Sequence, residues 1–345
     1  MNYNFFIIGG DKRNLFLAEK LSKDGENVKI FGFDRIKEEF FANNNIKKIT
    51  NEKELLTELE ERKTQAESNE IERETQAKSN EIERKTQAKS KDMKRKTQAE
   101  CKELARETIF DNNLETDKQN KKIIIGPIPY STDGKTLYAP FCNKKLDINL
   151  LKDKKIIAGK IPEKVADIKS IDILKNEYFT IRNTVPTAEG AIAKAIELTD
   201  INIDKANIMV LGFGRVGKTL CYKLKNLGAN VYAEARKERD LAWIDVFGYN
   251  AIPLEKINEN ICKMDMIFNT IPELILDKSK LILMNEKTLI IDLASKPGGT
   301  DFESANKMGI KAILYSGIPG KIASEYEAEL IKEVIYKEIK RKNKT

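Results

Sequence analysis

Histidine is absent from all 345 residues, which excludes Ser-His-Asp catalysis, a histidine acid/base and any His-ligated metal. Cysteine is scarce. Cys101, Cys142, Cys221 and Cys262 are scattered with no C-x-x-C pair, so reduced thiols are expected, with neither disulfides nor a structural metal. No apolar run approaches the roughly 20 residues of a membrane span. The opening MNYNFFIIGGDKR lacks the basic start and small-residue cleavage site of a signal peptide, and the expected compartment is the cytoplasm. A large excess of one charge is also missing. The net +7 arises from 61 cationic residues among 54 anionic ones, with no basic stripe interleaved with aromatics, so anionic small molecules rather than nucleic acid are expected at any positive site.

What is present suffices for two domains of ordinary size, since 41% of the chain is hydrophobic. Residues 61–104 form an internal repeat of four eleven-residue units: ERKTQAESNEI, ERETQAKSNEI, ERKTQAKSKDM and KRKTQAECKEL. An eleven-residue period is about three helical turns, which lines up Ile71, Ile82, Met93 and Leu104 on one face. A continuous helix of that length would extend about 66 Å. With one large apolar residue per unit, a solvated helical insertion is favoured over a coiled-coil arm, which needs two apolar positions per two turns.

Either side of this block the pattern alternates between strand and helix. NFFII (4–8), NVKIFGF (27–33), KKIIIG (121–126) and KKIIAG (154–159) are short apolar runs suited to strands covered on both faces. The loop GPIPYSTDG (126–134) places Ser131, Thr132 and Asp133 at a strand end, where they suit either a ligand carboxylate or an ordinary turn. TVPTAEGAIAKAIELT (184–199) predicts a helix opened by Pro186 and Thr187, with Ala188, Ala191, Ile192 and Ile196 on its apolar face and Glu189 in its first turn. Residues 207–315 repeat the alternation. The expectation is α/β: two Rossmann-like or flavodoxin-like parallel-sheet domains flanking a cleft, with the helical repeat inserted in the first. The divisions are an N-terminal domain over 1–183 with an insertion at 52–120, an interdomain helix over 184–200, a Rossmann domain over 201–318, and a C-terminal helix within 319–345 that returns toward the first domain.

GFGRVGKT (212–219) satisfies two phosphate-binding patterns. Gly212, Gly214 and Gly217 make the dinucleotide G-x-G-x-x-G, while Gly212, Gly217, Lys218 and Thr219 make a P-loop, for which LIID (289–292) offers a magnesium-orienting aspartate. Only the dinucleotide reading uses all three glycines. Its expected contacts are Gly212, Phe213, Gly214, Arg215, Val216 and Gly217. About 18 residues past the last glycine, where an NAD-type acid is usual, the chain has Ala235 followed by Arg236 and Lys237. That favours NADP, with Glu234 one residue away keeping NAD as an alternative. Thr270, Ile271 and Pro272 in NTIPE (269–273), with Leu293, Ala294 and Ser295 in DLASKPGGTDF (292–302), are candidate contacts toward the nicotinamide end.

IIGGDKR (7–13), TVPTAEG, VLGFGRVGKT, NTIP, IIDLASKPGGTDF and GIPGK (317–321) resemble the dipicolinate synthase A-subunit family. The resemblance implies an NADP-linked oxidoreductase of endospore formation, in the mother-cell cytoplasm. It would oxidise dihydrodipicolinate, or its hydrated tetrahydro precursor, to pyridine-2,6-dicarboxylate. It also implies that the partner is a flavoprotein-like B subunit; self-association is a further option. Two substrate carboxylates make Ser131, Thr132, Thr187 and Lys296 binding candidates, with Glu189 and Lys296 as catalytic candidates. A P-loop ATP-dependent protein and a non-catalytic scaffold with a coiled-coil arm are the alternatives.

Overall fold

The computed structural model describes residues 3–60, 122–165, 167 and 170–342. The repeats at 61–104 lie outside the described residues. The chain divides into two compact units, one of Met1–Gly10, Leu21–Ile171 and Ile335–Thr345, the other of Asp11–Lys20 and Asp172–Val334. Among the described residues no helix is long and apolar enough to cross a membrane.

The first unit is built on β1 (Asn4–Ile8), β2 (Asn27–Phe31), β3 (Lys47–Ile49), β4 (Lys122–Ile125), β5 (Ile156–Ala158) and β6 (Ile171–Asp172), in the order β3-β2-β1-β4-β5-β6. β1 pairs in parallel with β2 and β4, β2 with β3, and β4 with β5. The intervening helices are α1 (Lys12–Lys23), which as far as Lys20 belongs to the second unit, α2 (Glu38–Asn43) and α3 (Glu52–Leu59). Asn51 caps α3 by accepting the Glu54 N–H at 2.8 Å, and Leu55 and Leu59 pack in one core with Phe6, Ile8 and Ile124. The opening eight residues of the 52–120 segment thus form α3, whose Leu55 and Leu59 are buried in this unit's core.

The second unit contains α4 (Glu177–Arg182), α5 (Thr184–Leu198), β7 (Asn207–Leu211), α6 (Arg215–Asn226), β8 (Asn230–Ala235), α7 (Glu238–Val246), β9 (Asn250–Pro253), α8 (Ile257–Asn260), β10 (Met266–Asn269), α9 (Lys278–Leu281), β11 (Leu289–Asp292), α10 (Phe302–Lys307), β12 (Ala312–Leu314), α11 (Ile318–Ile322) and, as far as Val334, α12 (Ser324–Lys342), whose remainder belongs to the first unit. Its sheet runs β12-β11-β10-β7-β8-β9, and all five neighbouring pairs are parallel. Strand periodicity explains the apolar runs. Ile208 and Val210 pack with residues of α5, α6 and α7, while Met209 and Leu211 pack with Ile257, Leu281 and Ala305 on the other face.

α5 begins at Thr184 rather than Pro186, because a proline is tolerated in a helix's first turn. The whole helix falls within the second unit. Ala195, not Ile196, completes its buried face: Ile196 remains 55% exposed. Gly190 makes room for α11, since a Cβ there would lie 2.3 Å from Ile318 Cγ2.

Candidate functional site

The glycine turn joins β7 to α6, and its three glycines are required for different reasons. Gly212 adopts φ +90, and a Cβ there would come within 2.6 Å of the Thr270 hydroxyl. At Gly217 a Cβ would stand 1.9 Å from the Gly212 carbonyl oxygen, so only glycine lets the helix start against the turn. Gly214, the N-cap of α6, is exposed, and a Cβ there would meet nothing within 4 Å. The protein's own packing therefore demands the outer two glycines and leaves open space at the middle one. An open backbone position at a helix N-terminus forms a cradle for an anion. Gly217→Ala is expected to cost about 1–3 kcal/mol and to abolish ligand binding at the turn, read as a lower denaturation midpoint together with a lost titration signal.

The turn lies where β7 has β8 on one side and β10 on the other, the switch point at which doubly wound sheets bind ligands. Loops from adjacent strands buttress it. Thr270, after β10, donates its hydroxyl to Leu211 O at 2.8 Å. Asn269 is fully buried, donates to Ile271 O and accepts from Ile271 N, both at 3.0 Å. Asp292, at the end of β11, is fully buried. One of its oxygens accepts from Ala294 N at 3.0 Å, and the other accepts from Gly299 N at 2.8 Å and the Thr300 hydroxyl at 2.7 Å. A Cβ on Gly299 would stand 2.5 Å from both Ile271 O and Glu273 O, so the second loop packs directly on the first.

These bonds bear on the P-loop pattern. Asp292 uses both oxygens to fold its own loop, and the Thr219 hydroxyl lies 2.6 Å from that of Thr184 while donating to Arg215 O at 3.2 Å. Lys218 extends its ammonium over the Phe213 ring at 5.4 Å. The groups a P-loop would turn toward magnesium and phosphate serve local packing instead.

At the end of β8, Glu234 turns inward. It is 1% exposed, and one carboxylate oxygen accepts the Gly212 N–H at 3.0 Å. Burial pushes its carboxyl up, opposed by the Gly212 bond and the Arg236 charge. It is not presented as an exposed acid for ribose hydroxyls. Arg236 and Lys237 are exposed, and the Arg236 guanidinium lies 3.8 Å from the Glu273 carboxylate.

The remaining candidates separate. Phe213 is buried in the turn and Val216 packs on the α5–α7 core face. Arg215 donates to Glu177 and Thr180 of α4, each at 2.8 Å. Ile271 and Leu293 are half-buried, Ala294 is buried, and Pro272, Ser295 and Lys296 are exposed. Thr187 bonds back to Asn183 O at 2.8 Å, and Glu189 accepts from Lys223 at 2.8 Å at an exposed position. In the first unit, Ser131 donates to Asp133 at 3.1 Å and accepts from Gly134 N at 3.0 Å, while Thr132 is exposed. The Thr136 and Lys135 N–H groups, with the hydroxyls of Thr136 and Ser131, hold the Asp133 carboxyl well below the usual range. That loop is closed by its own turn bonds. Asn269 and Thr184 escaped sequence reasoning; the one available signal was an Asn at a strand end before Thr-Ile-Pro, a context for local side-chain to backbone bonding.

The family described as the N-terminal domain of the dipicolinate synthase A subunit matches residues 4–61. The curated A subunit of dipicolinate synthase from Bacillus subtilis (strain 168) is 40% identical over 169 residues, covering 49% of this chain and 57% of that protein. The match thus spans less than two thirds of that relative. Crystal structures of the dipicolinate synthase A subunits from Bacillus halodurans and Bacillus subtilis superpose with TM-scores of 0.69 and 0.71 at 26% identity. The first alignment covers 97% of both chains, the second 99% of this chain and 97% of the other. The chain resembles the A subunit of dipicolinate synthase. A transhydrogenase from Sinorhizobium meliloti, 13% identical with a TM-score of 0.56 over 98% of this chain and 94% of its own, shares the fold alone. Against the dipicolinate synthase A subunits, the likeness extends through both sheets and so includes the glycine turn.

Proposed function

We propose that the chain is the A subunit of a dipicolinate synthase, an NADP-linked oxidoreductase that makes pyridine-2,6-dicarboxylate in the mother-cell cytoplasm during sporulation, together with a B subunit. The observation carrying the dinucleotide assignment is the open backbone at Gly214 between two glycines that packing requires, at the switch point of a parallel sheet. The bound dinucleotide supplies the hydride acceptor: dihydrodipicolinate gives up a hydride and a proton, and the ring becomes aromatic. Gly212, Gly214, Gly217 and the first amides of α6 hold the pyrophosphate. Arg236 and Lys237 take the 2′-phosphate, a role supported by the inward turn of Glu234. The residues at 270–272 and 293–295 border the nicotinamide end.

The substrate carboxylates call for cations and hydroxyls. Lys296 is the exposed cation of the β11 loop, and Ser131, Thr132 and Thr187 are the hydroxyl candidates. Glu189, held by Lys223, is the weaker of the two catalytic candidates. Arg236→Ala is expected to weaken NADPH binding about tenfold more than NADH binding, about 1.4 kcal/mol, whereas Lys218→Ala leaves both affinities within about twofold. Fluorescence titration of the two nucleotides checks both. The reaction is tested by absorbance of dipicolinate formed from the hydrated tetrahydro precursor and NADP, with and without the B subunit; no product under either condition would overturn it.

A further inference from the structure

GIPGK (317–321) carries a cation to the same end of the second sheet as Lys296. β12 pairs with β11 so that Leu314 lies opposite Asp292, and Tyr315 N donates to Asp292 O at 2.8 Å. The loop after β11 stays against its neighbour: a Cβ on Gly298 would come within 3.2 Å of Leu314 Cδ1. Beyond β12 the chain turns at Gly317, in the left-handed region at φ +64, into α11. Lys321, exposed on that helix, folds back over the strand end, where its ammonium donates to Ser316 O at 2.8 Å and stands 5.0 Å from the centre of the Tyr315 ring. α11 itself is pinned. Ile318 and Pro319 are buried, Gly190 of α5 leaves the space that Ile318 and Ile322 fill, and a Cβ on Gly320 would stand 2.9 Å from Arg13 Cζ. Such a support holds a charged group in one position before any ligand arrives.

What this ammonium lacks is an anion. Arg215 pairs with Glu177 and Arg236 reaches Glu273, but among the described residues neither Lys296 nor Lys321 pairs with a carboxylate. Asp292, at the root of the Lys296 loop, is fully buried with both oxygens accepting from its own loop. Two ammonium groups on adjacent strand ends, one of them resting on a carbonyl and an aromatic face, leave this half of the sheet edge positive. The hydroxyl candidates are more committed: Ser131 is held in its own turn and Thr187 bonds back to Asn183 O. A rigid ring with a carboxylate on either side of its nitrogen is matched by two separate cations. Building on the reaction proposed above, we propose that Lys321 binds one carboxylate of the pyridine-2,6-dicarboxylate skeleton while Lys296 binds the other.

Calorimetric titration of the full chain with pyridine-2,6-dicarboxylate and with pyridine-2-carboxylate, in metal-free buffer containing saturating NADPH, tests this. Lys321→Gln should weaken the dicarboxylate by about tenfold or more, the loss of one charge-assisted contact. It should weaken the monocarboxylate by no more than about twofold, because a single carboxylate can turn to Lys296; that retained binding also shows the variant to be folded. Lys321→Arg keeps the charge and should stay within about threefold of wild type for both acids. Wild-type protein that does not bind the dicarboxylate would overturn the proposed reaction and this assignment with it. Wild-type binding that Lys321→Gln leaves unchanged, an equal loss of both acids in Lys321→Gln, or a loss in Lys321→Arg as large as in Lys321→Gln would each overturn the assignment of Lys321 and leave the reaction standing.

Discussion

Asp292→Ala is expected to destabilise the second unit by about 3–5 kcal/mol, the cost of removing one member of a buried charged hydrogen-bond set. The carboxylate is fully buried and receives Ala294 N, Gly299 N and the Thr300 hydroxyl. Alanine leaves all three donors without their acceptor at a place water does not reach. The loop they fold is a tight one, with Gly298 in the left-handed region at φ +92. Asp292→Asn keeps one acceptor oxygen and should cost less, about 1–3 kcal/mol. Chemical denaturation without nucleotide or magnesium gives both values. A full-size effect under those conditions identifies Asp292 as the organiser of its loop; a variant as stable as wild type would return it to the role of a metal-orienting acid.

The second large effect is a fall in stability with rising pH, carried by Glu327 of α12. This carboxyl is 1% exposed and its pKa is pushed up to about 7, first by burial and further by Asp11, with Arg13 and Asn183 opposing. Arg13 reaches Glu327 at 3.4 Å but already donates to both Asp11 oxygens, at 2.9 and 2.8 Å. A second carboxylate is therefore surplus to one guanidinium. The folded state binds the Glu327 proton more tightly than the unfolded chain, whose value is near 4.5. Its favourable contribution is therefore complete below about pH 4.5 and is lost as pH rises through about 7. The loss amounts to about 3 kcal/mol at most. Glu327→Gln should flatten that slope between about pH 5 and 8 and should be at least as stable as wild type at the upper end. Parallel slopes for the two proteins in pH-dependent denaturation would contradict this.

Much of the second sheet was legible because its requirements are local. A glycine whose Cβ would strike a carbonyl 1.9 Å away has to be glycine, and apolar runs covered on both faces announce parallel strands. The side chains that brace the site were harder to read. Counting to Ala235 finds the end of β8 but not which way its residues face: Ala235 packs with the α5–α7 layer, whereas Glu234 turns to the Gly212 amide. One residue of register reverses the face and with it the chemistry. Asn269 and Asp292 act on backbone groups two to seven residues away, contacts that carry no periodicity. β3, with three residues, and β6, with two, are too short for alternation to register. Ser131 and Thr132 read equally as ligand groups or turn residues, and the loop's own bonds engage Ser131.

We propose that the turn at Gly212–Gly217 receives a nicotinamide dinucleotide rather than a nucleoside triphosphate. Equilibrium fluorescence titration of the full chain with NADPH, and in parallel with ATP and magnesium, tests it most directly. Saturable NADPH binding that is lost in Gly217→Ala and undisturbed by ATP is the expected result. Tight binding of ATP with magnesium, lost in Lys218→Ala and accompanied by no response to NADPH, would contradict the account.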